Sequence, residues 1–150
     1  EGDGSGLRFN LSHSGDIALL AVTRGRDVGV DVEVLRPVPD ACELAERYFS
    51  PADSAALRSL PGSEREAAFL RCWTLKEAYV KAVGDGLTMP LDRFEVGCTS
   101  EQERPLLRFL DETPEAGRWT LRVLDLGPDA VGALAVEGQG WSVARYQWSA

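Results

Sequence analysis

Ile17-Ala-Leu-Leu-Ala-Val-Thr23 and Val28-Gly-Val-Asp-Val-Glu-Val34, linked by Arg24-Gly-Arg-Asp27, set the fold class of this 150-residue chain. The first segment is an apolar run of strand length. The second alternates valine with glycine or an acid at the two-residue period of a strand. The glycine in the link is what a hairpin turn needs, so the spacing predicts two antiparallel strands joined by that turn.

Outward from this pair, Arg36-Pro-Val-Pro39 breaks regular structure and leads into a helix over about 40–49. Ser50-Pro51 pairs an N-cap residue with a proline at the first helical position, which predicts a second helix ending near Pro61-Gly62. Ser63 with Glu66 forms a capping-box pattern opening the longest helix, which runs to Val83 and stops at Gly84. In the final third, 93–96, 105–110, 119–126, 130–136 and 143–147 read as strands between Gly, Pro and Asp turns. Strands and helices in separate blocks predict an α+β fold, an antiparallel sheet packed with helices. The acidic, glycine-rich residues 1–8 read as a flexible segment, and 9–150 as one domain.

The net charge of -8 argues against a nucleic-acid partner, whose phosphates are met by clustered Lys and Arg. No apolar run reaches the roughly 20 residues that span a bilayer. Cys42, Cys72 and Cys98 are odd in number and lack CxxC spacing, which speaks against a zinc site or a disulfide framework. Free thiols in a reducing cytoplasm are the expectation, with a cytoplasmic protein and no membrane partner.

Three local constellations carry chemistry. In Gly29-Val-Asp-Val-Glu33 the two acids lie two residues apart, so their carboxylates share one face of a strand. Such a pair suits a cation or, equally, a half-exposed strand with its acids in water. In Trp73-Thr-Leu-Lys-Glu-Ala-Tyr-Val-Lys81, the residues Trp73, Glu77 and Lys81 form one helical stripe opposite a core face of Ala68, Cys72, Leu75, Tyr79 and Ala82. A solvent-facing Glu–Lys pair would give the same spacing. Phe9-Asn-Leu-Ser-His-Ser-Gly15 sets the single histidine between two serines before a strand, offering imidazole, hydroxyl and backbone donors to an anion. Together, two strand acids and a helix acid make a hard oxygen site of the kind Mg2+ takes with substrate phosphates and water.

The three segments resemble the motifs of the Sfp-type 4'-phosphopantetheinyl transferases: Phe9-Asn-Leu-Ser-His-Ser14, Gly29-Val-Asp-Val-Glu33, and Trp73–Lys81 followed by Gly84-Asp-Gly-Leu87, in the family's order and at similar spacing. The resemblance runs from Phe9 to about Val96 and implies that family's fold, of which this chain holds the second of two similar halves. It implies that Asp31, Glu33 and Glu77 bind Mg2+, which grips the pyrophosphate of coenzyme A. It implies further that Ser12, His13 and Lys76 contact the phosphates, that Trp73 packs under the site, and that Glu77 or Lys81 moves the proton of the attacking serine. The activity implied is Mg-dependent transfer of 4'-phosphopantetheine from coenzyme A to a serine of an apo acyl or peptidyl carrier protein, releasing 3',5'-ADP. The segment 35–49 would grip the carrier. The family's first half, with its Gly-Lys-Pro motif and most of the adenine and 3'-phosphate contacts, has no counterpart here. Other readings of the same residues are a non-catalytic carrier-binding module, a half-enzyme that needs a partner chain, and a structural cation site.

Overall fold

The computed structural model describes residues 6–84, 89–97, 99, 105, 107–111 and 114–149. Strands β1 (Leu7–Ser14) and β2 (Ile17–Arg24) form an antiparallel hairpin, turned at Gly15 with φ +55°. Then come β3 (Val28–Val34), the helices α1 (Ala41–Tyr48), α2 (Pro51–Ser59) and α3 (Gly62–Val83), and the short strands β4 (Phe94–Glu95) and β5 (Arg108–Phe109). β6 (Trp119–Asp125) and β7 (Ala130–Glu137) close the fold. The class is α+β with antiparallel sheets, as the blocks of strand and helix predict.

The pairing differs from the sequence expectation. β2 does not pair with β3 across Arg24–Asp27. It turns back onto β1, while β3 pairs with β7 in a three-stranded sheet of order β3-β7-β6, with Asp31 opposite Ala133. The cause lies in β1, which reads locally as a loop because Asn10, Ser12 and Ser14 interrupt its apolar residues. Those three side chains accept hydrogen bonds from the backbone N–H groups of Val30, Val32 and Val34 along the free edge of β3, at 2.9, 3.2 and 3.0 Å. The edge is thus satisfied by side chains, and the ladder of β2 is left for β1. β1 starts at Leu7, inside the segment expected to be flexible, whose residues 1–5 lie outside the described ones.

Two cores flank the three-stranded sheet. On one face α3 lays Leu70, Cys72, Leu75, Ala78, Tyr79 and Ala82 against Ala133, Ala135, Leu121, Phe94 and Trp119. On the other, Val28, Val30, Leu124, Leu134 and Val136 pack with Leu19, Ala21, Trp141 and Val143. The alternation along β7 follows the strand period, with Ala133 and Ala135 turned to the helix and Leu134 and Val136 away from it. Small residues let the helix come close, and at Gly29 the approach is backbone to backbone. A Cβ there would lie 2.0 Å from the carbonyl oxygen of Ala78 and 2.4 Å from the nitrogen of Ala82. Gly29→Ala is therefore expected to push α3 off the sheet and cost about 3 kcal/mol, the upper end for overpacking, as read by urea denaturation.

The local helix signals fare unevenly. Ser50 caps α2, accepting from the Asp53 N–H at 3.2 Å with Pro51 at the first helical position. Gly84 ends α3 in the left-handed conformation at φ +80°. The capping box at Ser63 does not form, because α3 already starts at Gly62 after Pro61, without a side-chain cap. The strand expected at 143–147 is irregular backbone, with Tyr146 almost fully exposed. No helix among the described residues is long and apolar enough to cross a membrane.

Candidate functional site

Where α3 crosses β3 at Gly29, the next residue on the same face of the strand is Asp31. The helix turn at the crossing, between Ala78 and Ala82, brings Lys81 to it. Lys81 Nζ donates to Asp31 Oδ1 at 2.8 Å and to the Val30 carbonyl at 3.2 Å. Ser12 Oγ donates to the same Oδ1 at 3.0 Å. Asp31 is only 6% exposed, and its other oxygen, Oδ2, is buried without a hydrogen-bond partner. An orphaned carboxylate oxygen is costly in a protein interior and marks a place where a donor, a water or a cation belongs.

Glu77, one helical turn before Lys81, is half-buried in the same neighbourhood. Burial raises its pKa above the ordinary glutamate value, the Asp31 charge raises it further and Glu33 adds to this, against the pull of Lys81. Burial also raises Asp31, outweighing the hydrogen bond and charge of Lys81 and the bond from Ser12, while Glu33 adds repulsion. For Asp31 the desolvation wins over a short ion pair, which fits a carboxylate with one oxygen unsatisfied. Glu33, the second strand acid, is half-buried and turns to Arg36 at 2.7 Å. Lys81 thus offsets charge at both Asp31 and Glu77, while Arg36 pairs with Glu33.

No group of three His, Cys, Asp or Glu side chains among the described residues is already drawn together to hold a metal ion. The donor set nevertheless fits a hard divalent cation. Mg2+ keeps several waters and needs only one or two carboxylates, and Asp31 offers a buried oxygen without a hydrogen-bond partner, with Glu77 near enough to respond to the Asp31 charge.

Other expected site residues lie elsewhere. Lys76 was placed by its position in the motif against a phosphate, yet its side chain is fully buried and pairs with Asp53 at 2.9 Å. It also donates to the carbonyls of Leu91, at 2.8 Å, and Phe94. The reason is helical geometry: one residue before Glu77 is about 100° around α3, which turns Lys76 into the core. Trp73 stands one turn before Glu77 on α3. It is half-buried in an aromatic cluster with Phe49 and Phe69, at centroid distances of 6.4 and 6.2 Å. His13 is exposed, on the side of β1 opposite Ser12, so the strand period separates the two. Asp85, Gly86 and Leu87 of the glycine turn lie outside the described residues, as does Cys98.

Sequence reasoning missed Asn10 and Ser14 as partners of β3, and Asp53 as the counter-ion of Lys76. The first two had a signal, polar residues at period two alternating with Phe9, Leu11 and His13. Asp53 had none, since its place in the first turn of α2 accounts for an acid without any distant partner.

A family model described as the 4'-phosphopantetheinyl transferase superfamily matches residues 27–136, from the turn before β3 to the end of β7. The chain belongs to this superfamily. Among curated relatives, 4'-phosphopantetheinyl transferase HetI of Nostoc sp. (strain PCC 7120) is 45% identical over 139 residues, which are 91% of this chain and 54% of that protein. 4'-Phosphopantetheinyl transferase Sfp of Bacillus subtilis (strain 168) is 35% identical over 88 residues, 59% of this chain and 38% of Sfp. A solved ACPS–CoA complex from Chronobacterium ammoniagenes shares the fold, with a TM-score of 0.53 at 19% identity, covering 77% of this chain and 99% of that one. The chain spans about half the length of the curated relatives it matches.

Proposed function

We propose that this chain carries the acidic site of an enzyme that transfers 4'-phosphopantetheine from coenzyme A to a serine of an apo acyl or peptidyl carrier protein. The observation that carries the reading is the buried, unpartnered Oδ2 of Asp31 beside Glu77 and Lys81, inside a segment that matches the superfamily. In the reaction the serine oxygen bonds to the β-phosphorus of coenzyme A, the bond to the bridging oxygen breaks, and 3',5'-ADP departs. Reactions of this kind depend on positioning and charge neutralisation more than on covalent help from the protein. Asp31, Glu77 and Glu33 would hold Mg2+, which when bound supplies charge to the pyrophosphate.

The chain's own groups divide the remaining work. Glu77, with its pKa lifted by burial, is a stronger proton acceptor than an ordinary glutamate and suits the serine proton. Lys81 bridges α3 to β3 through Asp31 and the Val30 carbonyl, and its ammonium offers a further donor to phosphate oxygen. The segment 35–49 is the proposed carrier contact. Of its arginines and the nearby Arg58, Arg36 is engaged with Glu33, Arg58 with Glu46, and Arg47 stacks 5.2 Å from the Tyr48 ring centroid.

A second reading, a half-enzyme completed by further chain, is favoured by one observation. Leu7, Phe9, Leu11, Leu20 and Val22 are each more than half exposed and form one apolar face of the β1–β2 hairpin, with Phe9 opposite Val22 and Leu11 opposite Leu20. A contiguous patch of this kind marks an interaction surface. We take its occupant to be the additional chain present in the longer relatives.

Intact-mass measurement of an apo carrier protein mixed with this chain, coenzyme A and Mg2+ tests the proposal. A phosphopantetheine-sized gain that chelator removes is expected, either from the chain alone or after the other half of a relative is added in trans. No gain in either mixture would overturn the transferase reading. If trans addition is required, Leu20→Lys on the apolar face is expected to block the rescue while the chain keeps its melting temperature.

A further inference from the structure

β3 is the edge of its sheet, and Asn10, Ser12 and Ser14 each take one of its outward N–H groups. Only the middle rung reaches further. The Ser12 hydroxyl accepts from the Val32 N–H at 3.2 Å, so its single proton is free to be donated, and the acceptor in reach is Asp31 Oδ1 at 3.0 Å. Oδ1 therefore holds two donors that arrive from different elements, Ser12 from β1 and Lys81 from α3. A carboxylate is planar, so pinning one oxygen from two directions fixes the aim of the other. That other oxygen is the buried, unpartnered Oδ2.

We propose that Ser12 is a positioning residue, which orients Asp31 so that Oδ2 faces the cation, and that β1 is registered against β3 to deliver it. This rests on the Mg2+ reading of the site, and it departs from the phosphate-contact role that the motif resemblance assigns to Ser12. Ser12 is 6% exposed and its one donor is committed to Asp31, so it acts through that carboxylate. Outer partners of this sort hold ligand geometry, and their loss typically weakens metal binding by about 10–100-fold.

Ser14 supplies the control. Like Ser12 it satisfies one β3 N–H, but no bond joins it to Asp31. Mn2+ affinity, measured by calorimetry on the chain with Mn2+ alone, is expected to fall roughly tenfold in Ser12→Ala, at the lower end of that range, and to stay within about twofold in Ser14→Ala. Each variant leaves one N–H unpaired, and Ser12→Ala is expected to lose more melting temperature than Ser14→Ala, since it also takes a donor from the buried Asp31 carboxylate. Unchanged affinity in Ser12→Ala, or equal weakening in the two variants, would overturn the assignment. Scalar couplings that report the Asp31 side-chain rotamer separate this claim from the metal reading. A single rotamer is expected in the wild type and Ser14→Ala, and averaging in Ser12→Ala. Wild-type protein that binds no Mn2+ would defeat the metal reading, and the positioning role would then stand or fall on the rotamer averaging alone.

Discussion

Glu77→Gln is expected to lower phosphopantetheine transfer by at least about a hundredfold, and toward 10⁴-fold if Glu77 is the proton acceptor. The amide keeps the size and position of the side chain but can neither take the serine proton nor neutralise a cation. The same variant is expected to leave the metal-free protein as stable as the wild type at pH 7, or more so. Glu77 has a raised pKa in the folded state, caused by burial and then by Asp31. A carboxyl shifted that way binds its proton more tightly folded than unfolded. Its stabilising contribution is present below the unfolded value and is lost as pH rises through the folded one. At neutral pH a charged Glu77 beside Asp31 and Glu33 therefore opposes folding, and glutamine removes the opposition. Melting curves at pH 7, with a parallel series toward the acid side of the carboxylate range, check this: the advantage of the variant should shrink as the pH falls. A variant inactive yet clearly less stable at pH 7 would mean that Glu77 is structural.

Lys76→Ala is expected to cost about 3–5 kcal/mol in urea denaturation, because it removes one partner of a buried ion pair. The ion pair with Asp53 is fully enclosed, at 0% and 4% side-chain exposure. Asp53 in turn accepts from the backbone N–H groups of Val96 and Gly97 at 3.2 and 3.3 Å, and Lys76 donates to the carbonyls of Leu91 and Phe94. The ammonium also lies over the rings of Phe94 and Phe49, 4.5 and 5.4 Å from their centroids. One pair therefore ties α2, α3 and the 91–97 segment together. The double variant Lys76→Met with Asp53→Leu is expected to recover part of the loss, since no lone charge is left inside. A cost below about 1 kcal/mol for Lys76→Ala, the range of an exposed pair, would return the lysine to solvent and to the phosphate role that the motif implied.

These two neighbours on one helix illustrate what can be read locally. Helical spacing correctly groups Glu77 with Lys81, and the valine alternation in β3 correctly sets Asp31 and Glu33 on one face. The cap at Ser50-Pro51 and the stop at Gly84 were legible for the same reason: a single turn of backbone contains the whole interaction. Lys76 turns away from the site because adjacency in a motif is not adjacency in space. Asp53, which claims it, comes from α2, whereas Trp73 meets Phe69 one turn earlier on its own helix and Phe49 at the end of α1.

By itself the sequence determined the α+β class, the helix that carries Glu77 and Lys81, the strand that carries Asp31, and the resemblance that joined them. The class and the two elements rest on periodicity and caps within a few residues of chain, and the resemblance rests on three motifs in order between Phe9 and Leu87. Only the tertiary structure decided that β2 pairs with β1 rather than β3, that side chains of β1 close the edge of β3, and that Asp31 keeps one oxygen open. A turn signal states that the chain reverses, but which backbone donors remain to be paired depends on every strand at once, and the aim of a carboxylate depends on donors brought from separate elements.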